Sequence, residues 1–292
     1  MSLPRILLFG KVGQVGWELR RTLAPLCDLT CVDFPDVDFT KPESLRHWIG
    51  TTRPQIIINA AAYTAVDKAE SELALATAIN ATAPAIMAEE TKKLGALLVH
   101  YSTDYVYDGA KTTPYLETDP TGPLGAYGRT KLEGDQAIAA IDCNHLIFRL
   151  CWVYGARGGN FMLTMQRLAR EREKLRVVGD QFGSPTWSRM IAETTALALA
   201  RIDSPETAAA FKGVYHLCSS GHTSWHGFAS AIIAAMPETE RTCREVEAIP
   251  SSEYPTPTKR PAYSVMSCAK LEQTFGLRLP DWKHCLDLVL ER

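Results

Sequence analysis

The stretch "RILLFGKVGQVG", residues Arg5–Gly16, decides the fold of this 292-residue chain. Its first six residues are strongly apolar and end in glycine, which is typical of a strand buried on both faces of a sheet. The next segment, "KVGQVGWELRRTLAP", spaces Val15, Leu19 and Leu23 four residues apart, so they share one face of a helix that stops at Pro25. The stretch therefore predicts a strand, a glycine-rich turn and a helix, in that order.

Strands and helices keep alternating after this unit. Apolar runs predict further strands at residues 29–34, 55–62, 95–103 and 145–150, and periodic segments predict helices at 41–50, up to about Leu94 and after Tyr127. This pattern predicts an α/β fold, a Rossmann-like doubly wound parallel sheet with helices on both faces. Ligands of such sheets bind at the carboxyl ends of the strands, near the point where the strand order reverses.

The second half of the chain is less regular. A helix at 188–201 and the strand "GVYHLCS" resume the alternation, whereas the residues from about 219 onward mix helices with the proline-rich loop "IPSSEYPTPTKRP". We expect residues 1–150 plus about 187–218 to form an NAD(P)-binding Rossmann domain. Residues of about 151–186 plus 219–292 would form a smaller substrate-binding lobe, interwoven with the first because no flexible linker separates them.

Composition excludes several classes of partner. The net charge is −2, so no basic excess indicates a nucleic-acid or membrane partner. The hydrophobic fraction of 46% and the charged fraction of 22% are typical of soluble globular proteins. No apolar run is long enough to span a bilayer, and the N-terminus lacks the pattern of a signal peptide. We therefore expect a cytoplasmic protein.

The cysteines and histidines do not predict a metal site. The eight cysteines are scattered and none forms Cys-x-x-Cys, so we expect buried free thiols. His222 and His226 have a spacing compatible with zinc, but no third ligand stands nearby in the sequence. We predict no required metal.

Three glycines at the junction of the first strand and first helix predict a dinucleotide site. Gly10, Gly13 and Gly16 would supply the tight turn, the close approach of the backbone to a pyrophosphate and close packing of the helix on the strand. The N–H groups of the first helical turn would then hold the phosphates. The alternative is an ordinary strand-to-helix turn with no ligand.

Asp33 ends the second predicted strand, about twenty residues after the glycine turn. An acid there can accept hydrogen bonds from the adenosine ribose, whereas it would repel a 2′-phosphate unless an arginine reached it. No Arg or Lys follows Asp33 before Lys41. The cofactor is therefore predicted to be NADH or NADPH, with NADH favoured; the alternative is a solvated aspartate.

A hydroxyl, a tyrosine and a lysine follow in the order that a reductase uses. Thr103 ends the fourth predicted strand, and "YGRTK" places Tyr127 and Lys131 one helical turn apart. Tyr127 would donate a proton to a carbonyl oxygen, Lys131 would stabilise the phenolate, and Thr103 would hydrogen-bond the oxygen as charge develops. "YGRTK" alone could equally begin a surface helix, but its place after the glycine turn and Thr103 favours the catalytic interpretation.

Seven motifs together resemble the extended short-chain dehydrogenase/reductase family. They are "GKVGQVG", "NAAAYTAVDKAE", "YSTDYVYDG", "YGRTKLEGD", "FRLCWVYG", "GDQFGSPT" and "YPTPTKRP", and the resemblance runs from Arg5 to about Ser264. "VDKAE" and "STDYVYDG" resemble the branch that acts on nucleotide-linked keto sugars. The resemblance implies that NADH or NADPH reduces the 4-keto group of dTDP-4-dehydro-L-rhamnose, with this small nucleotide sugar as the partner.

The resemblance also implies roles for individual residues. Those implied for the cofactor are Gly13, Gln14 and Val15 at the pyrophosphate, Asp33, Asp38 and Phe39 at the adenosine, Ala62, Tyr63 and Thr64 towards the nicotinamide, and Tyr127 and Lys131. Those implied for the substrate are Thr103, Asp104 and Trp152, with Arg260 as a partner for the diphosphate. Trp152 could cover the apolar face of a deoxysugar. The alternatives are a core tryptophan and a solvated arginine.

Four positions depart from the family pattern. Val12 replaces a small hydroxyl residue in the glycine turn, and Leu150 and Cys151 stand where Thr or Ser is usual, so we expect a missing hydrogen bond beside the sugar. Some relatives dimerise around a magnesium ion held by glutamates, and Arg189 occupies one of the matching positions. We therefore expect a monomer or a weak homodimer.

Two other functions are compatible with this fold. A nucleotide-sugar 4,6-dehydratase would carry Asp-Glu after the threonine, but Tyr105 follows Asp104 here, and a 4-epimerase would keep its NAD bound without net oxidation. Non-catalytic relatives serve as NADP-binding regulatory subunits, and fold alone does not separate them from enzymes. The intact set of Thr103, Tyr127 and Lys131 favours the reductase.

Overall fold

The computed structural model describes residues 3–291. Its strands are β1 Arg5–Phe9, β2 Asp28–Val32, β3 Ile56–Asn59, β4 Leu97–Thr103, β5 Asn144–Leu150, β6 Val153–Tyr154, β7 Lys174–Val178, β8 Phe182–Gly183, β9 Thr186–Trp187, β10 Gly213–His216, β11 Thr223–Ser224 and β12 Glu245–Ile249. Its α-helices are α1 Gln14–Thr22, α2 Pro42–Thr52, α3 Leu73–Thr77, α4 Ala83–Leu94, α5 Ala126–Ile141, α6 Phe161–Glu171, α7 Ser188–Leu199, α8 Pro205–Ala210, α9 Trp225–Ala234, α10 Ala269–Phe275 and α11 Trp282–Leu290. A π-helical turn, Ala78–Thr82, joins α3 to α4.

Six of these strands form one parallel sheet in the order β10-β5-β4-β3-β1-β2. The chain moves from β1 to β2 on one side and then to β3 on the other, so the strand order reverses at β1. Phe9 pairs with both Val32 and Asn59, which sets the ends of these three strands level. The predicted doubly wound α/β fold is confirmed, and its switch point lies at the glycine turn.

Both faces of the sheet are buried, as the continuous apolar runs predict. Along β1, Ile6 and Leu8 face a core that contains residues of α1, α7 and α10. Leu7 and Phe9 face a second core that contains residues of α2, α4 and α5. The alternation of side chains along a strand explains why one run of four apolar residues, Ile6–Phe9, serves two cores.

A separate core lies among the elements of the second half. Parallel strands β7 and β12 pack with α6, α9 and α11 around Met162, Phe228 and Trp282. Leu271 and Phe275, from the range predicted to form the substrate-binding lobe, pack instead into the core of the large sheet. The division into two domains stays a prediction. Within residues 3–291, no helix has the length and apolarity needed to cross a bilayer.

The third strand is shorter than predicted. It ends at Asn59, whereas the apolar run continues to Ala62. The Ala60 N–H still donates to the Phe9 carbonyl at 2.9 Å, and the chain then runs against the glycine turn, where a side chain on Gly10 would meet the backbone nitrogen of Ala61 at 2.5 Å. The irregular segment after β3 therefore belongs to the site at the switch point.

Candidate active site

The three glycines of the turn have different structural requirements. Gly10 has φ of +87°, and a Cβ on it would lie 2.5 Å from the Ala61 nitrogen. A Cβ on Gly16 would lie 1.9 Å from the Gly10 carbonyl oxygen, so helix and strand pack without room for a side chain. A Cβ on Gly13 would have its nearest described protein neighbour at 3.6 Å. Gly10 and Gly16 are therefore required by packing, whereas Gly13 faces space that a ligand can use.

The N-terminus of α1 fits an anion. Gly13 is the N-cap residue and supplies no side-chain hydrogen bond, so the first N–H groups of the helix are available to a ligand. The Gln14 side chain accepts a hydrogen bond of 3.0 Å from Asn160 Nδ2, which brings the loop before α6 to the same place. This arrangement is compatible with a pyrophosphate, and the roles of Gly13, Gln14 and Val15 there stay a prediction.

The Asp33 carboxylate is anchored to the glycine turn. Its Oδ2 accepts from the Val12 N–H at 3.0 Å and its Oδ1 accepts from the Phe34 N–H at 2.8 Å. Nearby, Lys11 Nζ contacts Asp36 Oδ2 at 2.7 Å. Lys11 lies near the proposed adenosine position but precedes Asp33 in the sequence. It was therefore not predicted from the residues that follow Asp33.

Asp38 and Phe39 lie in the loop between β2 and α2. Asp38 accepts hydrogen bonds from the N–H and hydroxyl of Thr40, and these hold the pKa of the Asp38 carboxyl below its usual range. The Phe39 ring packs edge-on against Phe9 with centroids 6.1 Å apart. Their roles at the adenine stay a prediction.

The segment that contains Ala62, Tyr63 and Thr64 follows β3 and is held by a buried asparagine. Asn80, in the π-helical turn, accepts from the Tyr63 N–H at 2.9 Å and donates to the Tyr63 carbonyl at 3.1 Å. Its Nδ2 also donates to Thr130 on α5 at 3.1 Å. The π-helical turn thus ties the predicted cofactor segment to the tyrosine helix, a use typical of such turns at functional sites.

Thr103 and Asp104 meet at the carboxyl end of β4. The Thr103 hydroxyl accepts from the Tyr105 N–H at 3.2 Å and donates to Asp104 Oδ1 at 3.0 Å. Burial raises the pKa of Asp104, against hydrogen bonds from Ser264 and Cys151. The Cys151 thiol lies 3.2 Å from Asp104 Oδ2 and accepts from the Ser184 N–H at 3.1 Å. The Cys151 thiol thus hydrogen-bonds within the protein, and the expectation of a missing hydrogen bond beside the sugar stays a prediction.

Tyr127 lies in the first turn of α5, and Glu70 fixes the start of that helix. Glu70 Oε1 accepts from the Ala126 N–H at 2.7 Å, which satisfies one of the free donors of the helix N-terminus. The Tyr127 ring packs edge-on against Tyr105 at 5.6 Å. Burial raises the pKa of Tyr127 to about 12, and a hydrogen bond with Thr103 works in the opposite direction. The tyrosine is therefore a protonated donor until positive charge reaches it.

Lys131 is buried one turn further along α5. Its Nζ donates to the Tyr101 carbonyl at 2.6 Å and lies 3.2 Å from His100 Nε2. Burial lowers the pKa of Lys131 to about 8, and the charge of Asp135 acts to raise it. Thr103, at the end of β4, thus shares a hydrogen bond with Tyr127 on α5, whereas Lys131 directs its Nζ to Tyr101 and His100; the catalytic roles of the three residues stay a prediction.

Trp152 is half-buried and stacked between two neighbours. Its backbone has φ of +45°, and its ring lies parallel to Trp225 with centroids 3.5 Å apart. A Cβ on Gly183 would lie 2.4 Å from the ring atom Cε2. Because Trp225 covers one ring face, the sugar can use only the part of Trp152 that Trp225 and Gly183 leave free. Sequence reasoning missed Trp225, which lies 73 positions later in the chain.

Arg260 reaches the site from the proline-rich loop. Its Nη2 donates to Asp67 Oδ2 at 3.2 Å, and its charge acts to lower the pKa of Tyr105, which burial raises. Its Nε is buried and has no hydrogen-bond partner within residues 3–291. An unpaired guanidinium donor at this position is compatible with an oxygen ligand from a substrate.

Several residues that position the site carried no readable signal in the sequence. Glu70 lies in "VDKAE", a motif that contributes to the family resemblance, but its contact with Ala126 spans 56 positions. Lys11, Asn80, His100 and Trp225 each act through contacts with distant segments. Their polar or aromatic character was visible, whereas their partners depend on the tertiary fold.

The predicted absence of a metal and of a metal-bridged dimer is untested. His226 Nε2 contacts the Val246 carbonyl at 3.0 Å and His222 packs against Tyr263, so they do not converge. In the part of the chain that the structure describes, no three His, Cys, Asp or Glu side chains are placed to hold a metal ion. Arg189 forms ion pairs with Glu193 at 2.6 Å and Glu18 at 3.8 Å.

Comparison with known proteins identifies the family. The sequence profile described as the RmlD substrate binding domain matches residues 4–292. A dTDP-4-dehydrorhamnose reductase of Burkholderia thailandensis is 49% identical over 291 residues, covering 98% of each chain. Solved structures of dTDP-4-dehydrorhamnose reductases give TM-scores of 0.90 for Clostridium acetobutylicum, at 36% identity over 98% of both chains, and 0.89 for Bacillus anthracis in complex with NADP, at 32% identity over 99% of both chains. The chain therefore belongs to the RmlD family, that of the dTDP-4-dehydrorhamnose reductases.

Proposed function

We propose that this chain reduces the 4-keto group of dTDP-4-dehydro-L-rhamnose to give dTDP-L-rhamnose. The observation that carries the proposal is the hydrogen bond between Thr103 and Tyr127, with Lys131 one turn further along α5, in a sheet whose first strand leads through a glycine turn into an uncapped helix N-terminus. The relatives named above carry the name of this activity. A bound nicotinamide supplies the hydride in this chemistry.

The side chains of the chain then handle the proton and the developing charge. Tyr127 gives its hydroxyl proton to the carbonyl oxygen as the carbonyl carbon is reduced, so that a ketone becomes an alcohol and a phenolate remains. Thr103 donates a hydrogen bond to the same oxygen. For this its hydroxyl must either turn away from Asp104 Oδ1 or accept a hydrogen bond from a protonated Asp104 carboxyl. Lys131 supports the phenolate with its positive charge.

The surroundings of Tyr127 set a clear electrostatic requirement. Its pKa of about 12 in the structure means that the free site favours the neutral phenol. Each unit by which this pKa falls needs about 1.4 kcal/mol of extra stabilisation of the phenolate. Positive charge on Lys131 and on an oxidised nicotinamide can supply it together, since each favours the charged form of a nearby acid.

The substrate side of the proposal rests on Asp104, Trp152 and Arg260. Asp104 lies just after the end of β4, and Trp152 lies just after the end of β5. Arg260 would hold the diphosphate through its guanidinium. The Asp67–Arg260 ion pair is half-exposed and can open to a phosphate without stranding a buried charge.

We further propose that both NADH and NADPH serve, with NADH preferred because of Asp33. The carboxylate is fixed at the end of β2, where the adenosine ribose of a dinucleotide lies in this fold. Lys11 provides a nearby cation that can accept a 2′-phosphate by exchanging its contact with Asp36. A cytoplasmic location and a monomeric or weakly dimeric state remain part of the same proposal.

The direct test is a turnover assay with the purified chain, NADH or NADPH and dTDP-4-dehydro-L-rhamnose. We expect stoichiometric loss of nicotinamide absorbance and formation of dTDP-L-rhamnose, identified by mass and by NMR of the new C4 proton. An epimerase would change the sugar without net oxidation of NADH, and a regulatory subunit would bind the cofactor without turnover. Either result would overturn the proposal.

A further inference from the structure

His100 is a buried histidine that the reductase mechanism does not use. It lies in the middle of β4 with no exposed surface, and its two ring nitrogens face Asn59 on β3 and Lys131 on α5. The distances are 3.1 Å from Nδ1 to Asn59 Nδ2 and 3.2 Å from Nε2 to Lys131 Nζ. A neutral imidazole carries one proton, so the two contacts together determine which nitrogen holds it.

The contacts of Asn59 fix the tautomer. Asn59 Oδ1 accepts from the Ala61 N–H at 3.2 Å, which turns the amide nitrogen towards His100. An amide nitrogen only donates, so His100 Nδ1 is the acceptor and the ring proton is on Nε2. His100 therefore presents an N–H group to Lys131. Burial and the adjacent Lys131 hold the pKa of His100 well below its usual range, so the ring stays neutral.

This N–H group opposes a proton on Lys131. A neutral Lys131 amine can accept from His100 Nε2–H with its lone pair while it donates to the Tyr101 carbonyl. An ammonium has no lone pair and would place its N–H against that of His100. Moving the imidazole proton to Nδ1 would instead set that nitrogen against Asn59 Nδ2. With a charged lysine, each arrangement therefore loses one of three hydrogen bonds, those of Asn59 with His100, of His100 with Lys131 and of Lys131 with the Tyr101 carbonyl.

We propose that His100, held in one tautomer by Asn59, lowers the proton affinity of Lys131 so that this lysine exchanges its proton near neutral pH. The inference rests on the proposed function, and it makes His100 and Asn59 positioning residues. Lys131 then serves as the source of the proton that returns to Tyr127, as well as a positive charge. The Tyr127 phenolate takes one proton from the Lys131 ammonium, and the neutral amine takes one from water before the next turnover.

Other ionisable groups around Lys131 act with His100 or against it. Asp135 on α5 acts on Lys131 directly, whereas Arg149 acts on Asp135 and His145 acts on His100, both from β5. Asp135 favours the ammonium, but its Oδ2 accepts from Ser102 at 2.8 Å and from Arg149 at 3.4 Å. Its Oδ1 lies 3.9 Å from His100 Nε2. Arg149 thus reduces the pull of Asp135 on the proton of Lys131.

A proton source of this kind suits the reaction. Proton transfer is most efficient when the pKa of the donor lies near the working pH. An exposed lysine, with a pKa near 10.4, would hold its proton too firmly to replace one quickly at neutral pH. Burial alone lowers the pKa of Lys131, and the His100–Asn59 pair adds a directional contact that selects the neutral amine.

The test measures the titration of Lys131 directly in the cofactor-free chain. Lysine labelled with ¹³C at Cε reports the protonation of each side chain by NMR, and Lys131→Arg identifies its signal. We expect the wild-type signal to titrate near pH 8. In His100→Gln the side-chain carbonyl can accept from the ammonium, so the midpoint should rise by about 1 pH unit.

A second variant keeps both His100 and Lys131. In Asn59→Asp a carboxylate accepts from Nδ1–H, the imidazole changes tautomer, and Nε2 becomes an acceptor for the ammonium. The midpoint of Lys131 should again rise by about 1 pH unit. His226→Gln is the matched control, because His226 contacts the Val246 carbonyl on β12 and should leave Lys131 unchanged.

The activity assay separates this inference from the proposed function. Since the ammonium is the donor, the rate should fall as pH rises through the Lys131 midpoint, and His100→Gln should move that fall to higher pH. A midpoint within about 0.3 pH unit of wild type in both variants would overturn the inference. A shifted midpoint in a chain that does not reduce the keto sugar would instead overturn the proposed function.

Discussion

The cofactor side and the substrate side of the site are built in opposite ways. The cofactor side comes from consecutive residues, since β1, the glycine turn and α1 form one unbroken stretch and Asp33 reaches back to it through the Val12 N–H. The substrate side joins Trp152, Gly183 and Trp225, three segments far apart in the chain. Under the proposed function, local sequence would therefore position the cofactor, whereas long-range packing would shape the position of the sugar.

Replacement of the proton donor at the junction of the two sides should have the largest effect. Tyr127→Phe should fold and bind NADH but lose turnover by ~10² to 10⁴, the usual contribution of a positioned acid. The measurements are kcat in the keto-sugar assay and NADH affinity by fluorescence. Tyr105→Phe is the matched control, because that ring packs against Tyr127 and its hydroxyl has no assigned role. Wild-type turnover in Tyr127→Phe would refute the assignment.

Two glycine substitutions test the cofactor side. Gly16→Ala places a Cβ 1.9 Å from the Gly10 oxygen, so the free energy of unfolding should fall by about 1–3 kcal/mol or more. Gly13→Ala has room within the protein and an ordinary φ of −64°, so it should fold normally and weaken only cofactor binding. Urea unfolding and NADH titration of both variants give the comparison. Equal stability of the two variants would contradict the packing argument.

On the substrate side, Trp225→Leu should weaken binding of the sugar and leave binding of the cofactor unchanged. Loss of the face-to-face contact with Trp152 should cost about 0.5–1.5 kcal/mol of sugar binding beyond the lost buried area. KM for the keto sugar should rise several-fold at unchanged NADH affinity. Trp48→Leu, on α2, removes an indole that donates to the Asp36 carbonyl and should leave KM for the sugar unaltered. Weaker NADH binding in Trp225→Leu would show that the two sides are not separate.

The smallest effect concerns the choice of cofactor. Asp33→Ala removes a charged acceptor, so NADH affinity should fall roughly five-fold while NADPH affinity falls less. Lys11→Ala should do the reverse and weaken NADPH more, because it removes the cation nearest the proposed 2′-phosphate position. The ratio of kcat/KM for the two cofactors measures both changes. An equal loss for NADH and NADPH in Asp33→Ala would remove the basis for NADH preference.

The same contrast explains what the sequence could predict. The parallel strands and the glycine turn follow from periodicity and spacing and are confirmed by the structure, in which Thr103 ends β4 and Tyr127 and Lys131 lie one turn apart on α5. The end of β3 was misplaced because the apolar run continues past the point where the backbone meets Gly10. The stacking of Trp152 on Trp225 was not predicted, because nothing in either segment indicates its partner.

Charged and polar partners illustrate the same limit. At Cys151 the sequence predicted only a missing hydrogen bond beside the sugar. It did not predict that the thiol lies between Asp104 and Ser184. Lys11 was not predicted as a cation near Asp33, because it comes before Asp33 in the chain and reaches Asp36 only through the fold. The tautomer of His100 depends on Asn59, a neighbour on the adjacent strand, and no spacing rule relates the two.

At the start of α5, the helix that carries Tyr127, segments from three distant parts of the sequence come into contact. At Gly125, a Cβ would lie 2.7 Å from Glu70 Oε1 and 2.4 Å from Thr258 Cγ2, so three distant segments touch one backbone position. Thr258 further contacts the Val66 carbonyl at 3.1 Å and Asp67 at 3.3 Å. During synthesis, this junction is therefore completed only after Thr258, in the final fifth of the chain, has emerged. A product truncated before Thr258 would lack this junction and also Leu271 and Phe275, which pack into the core of the large sheet.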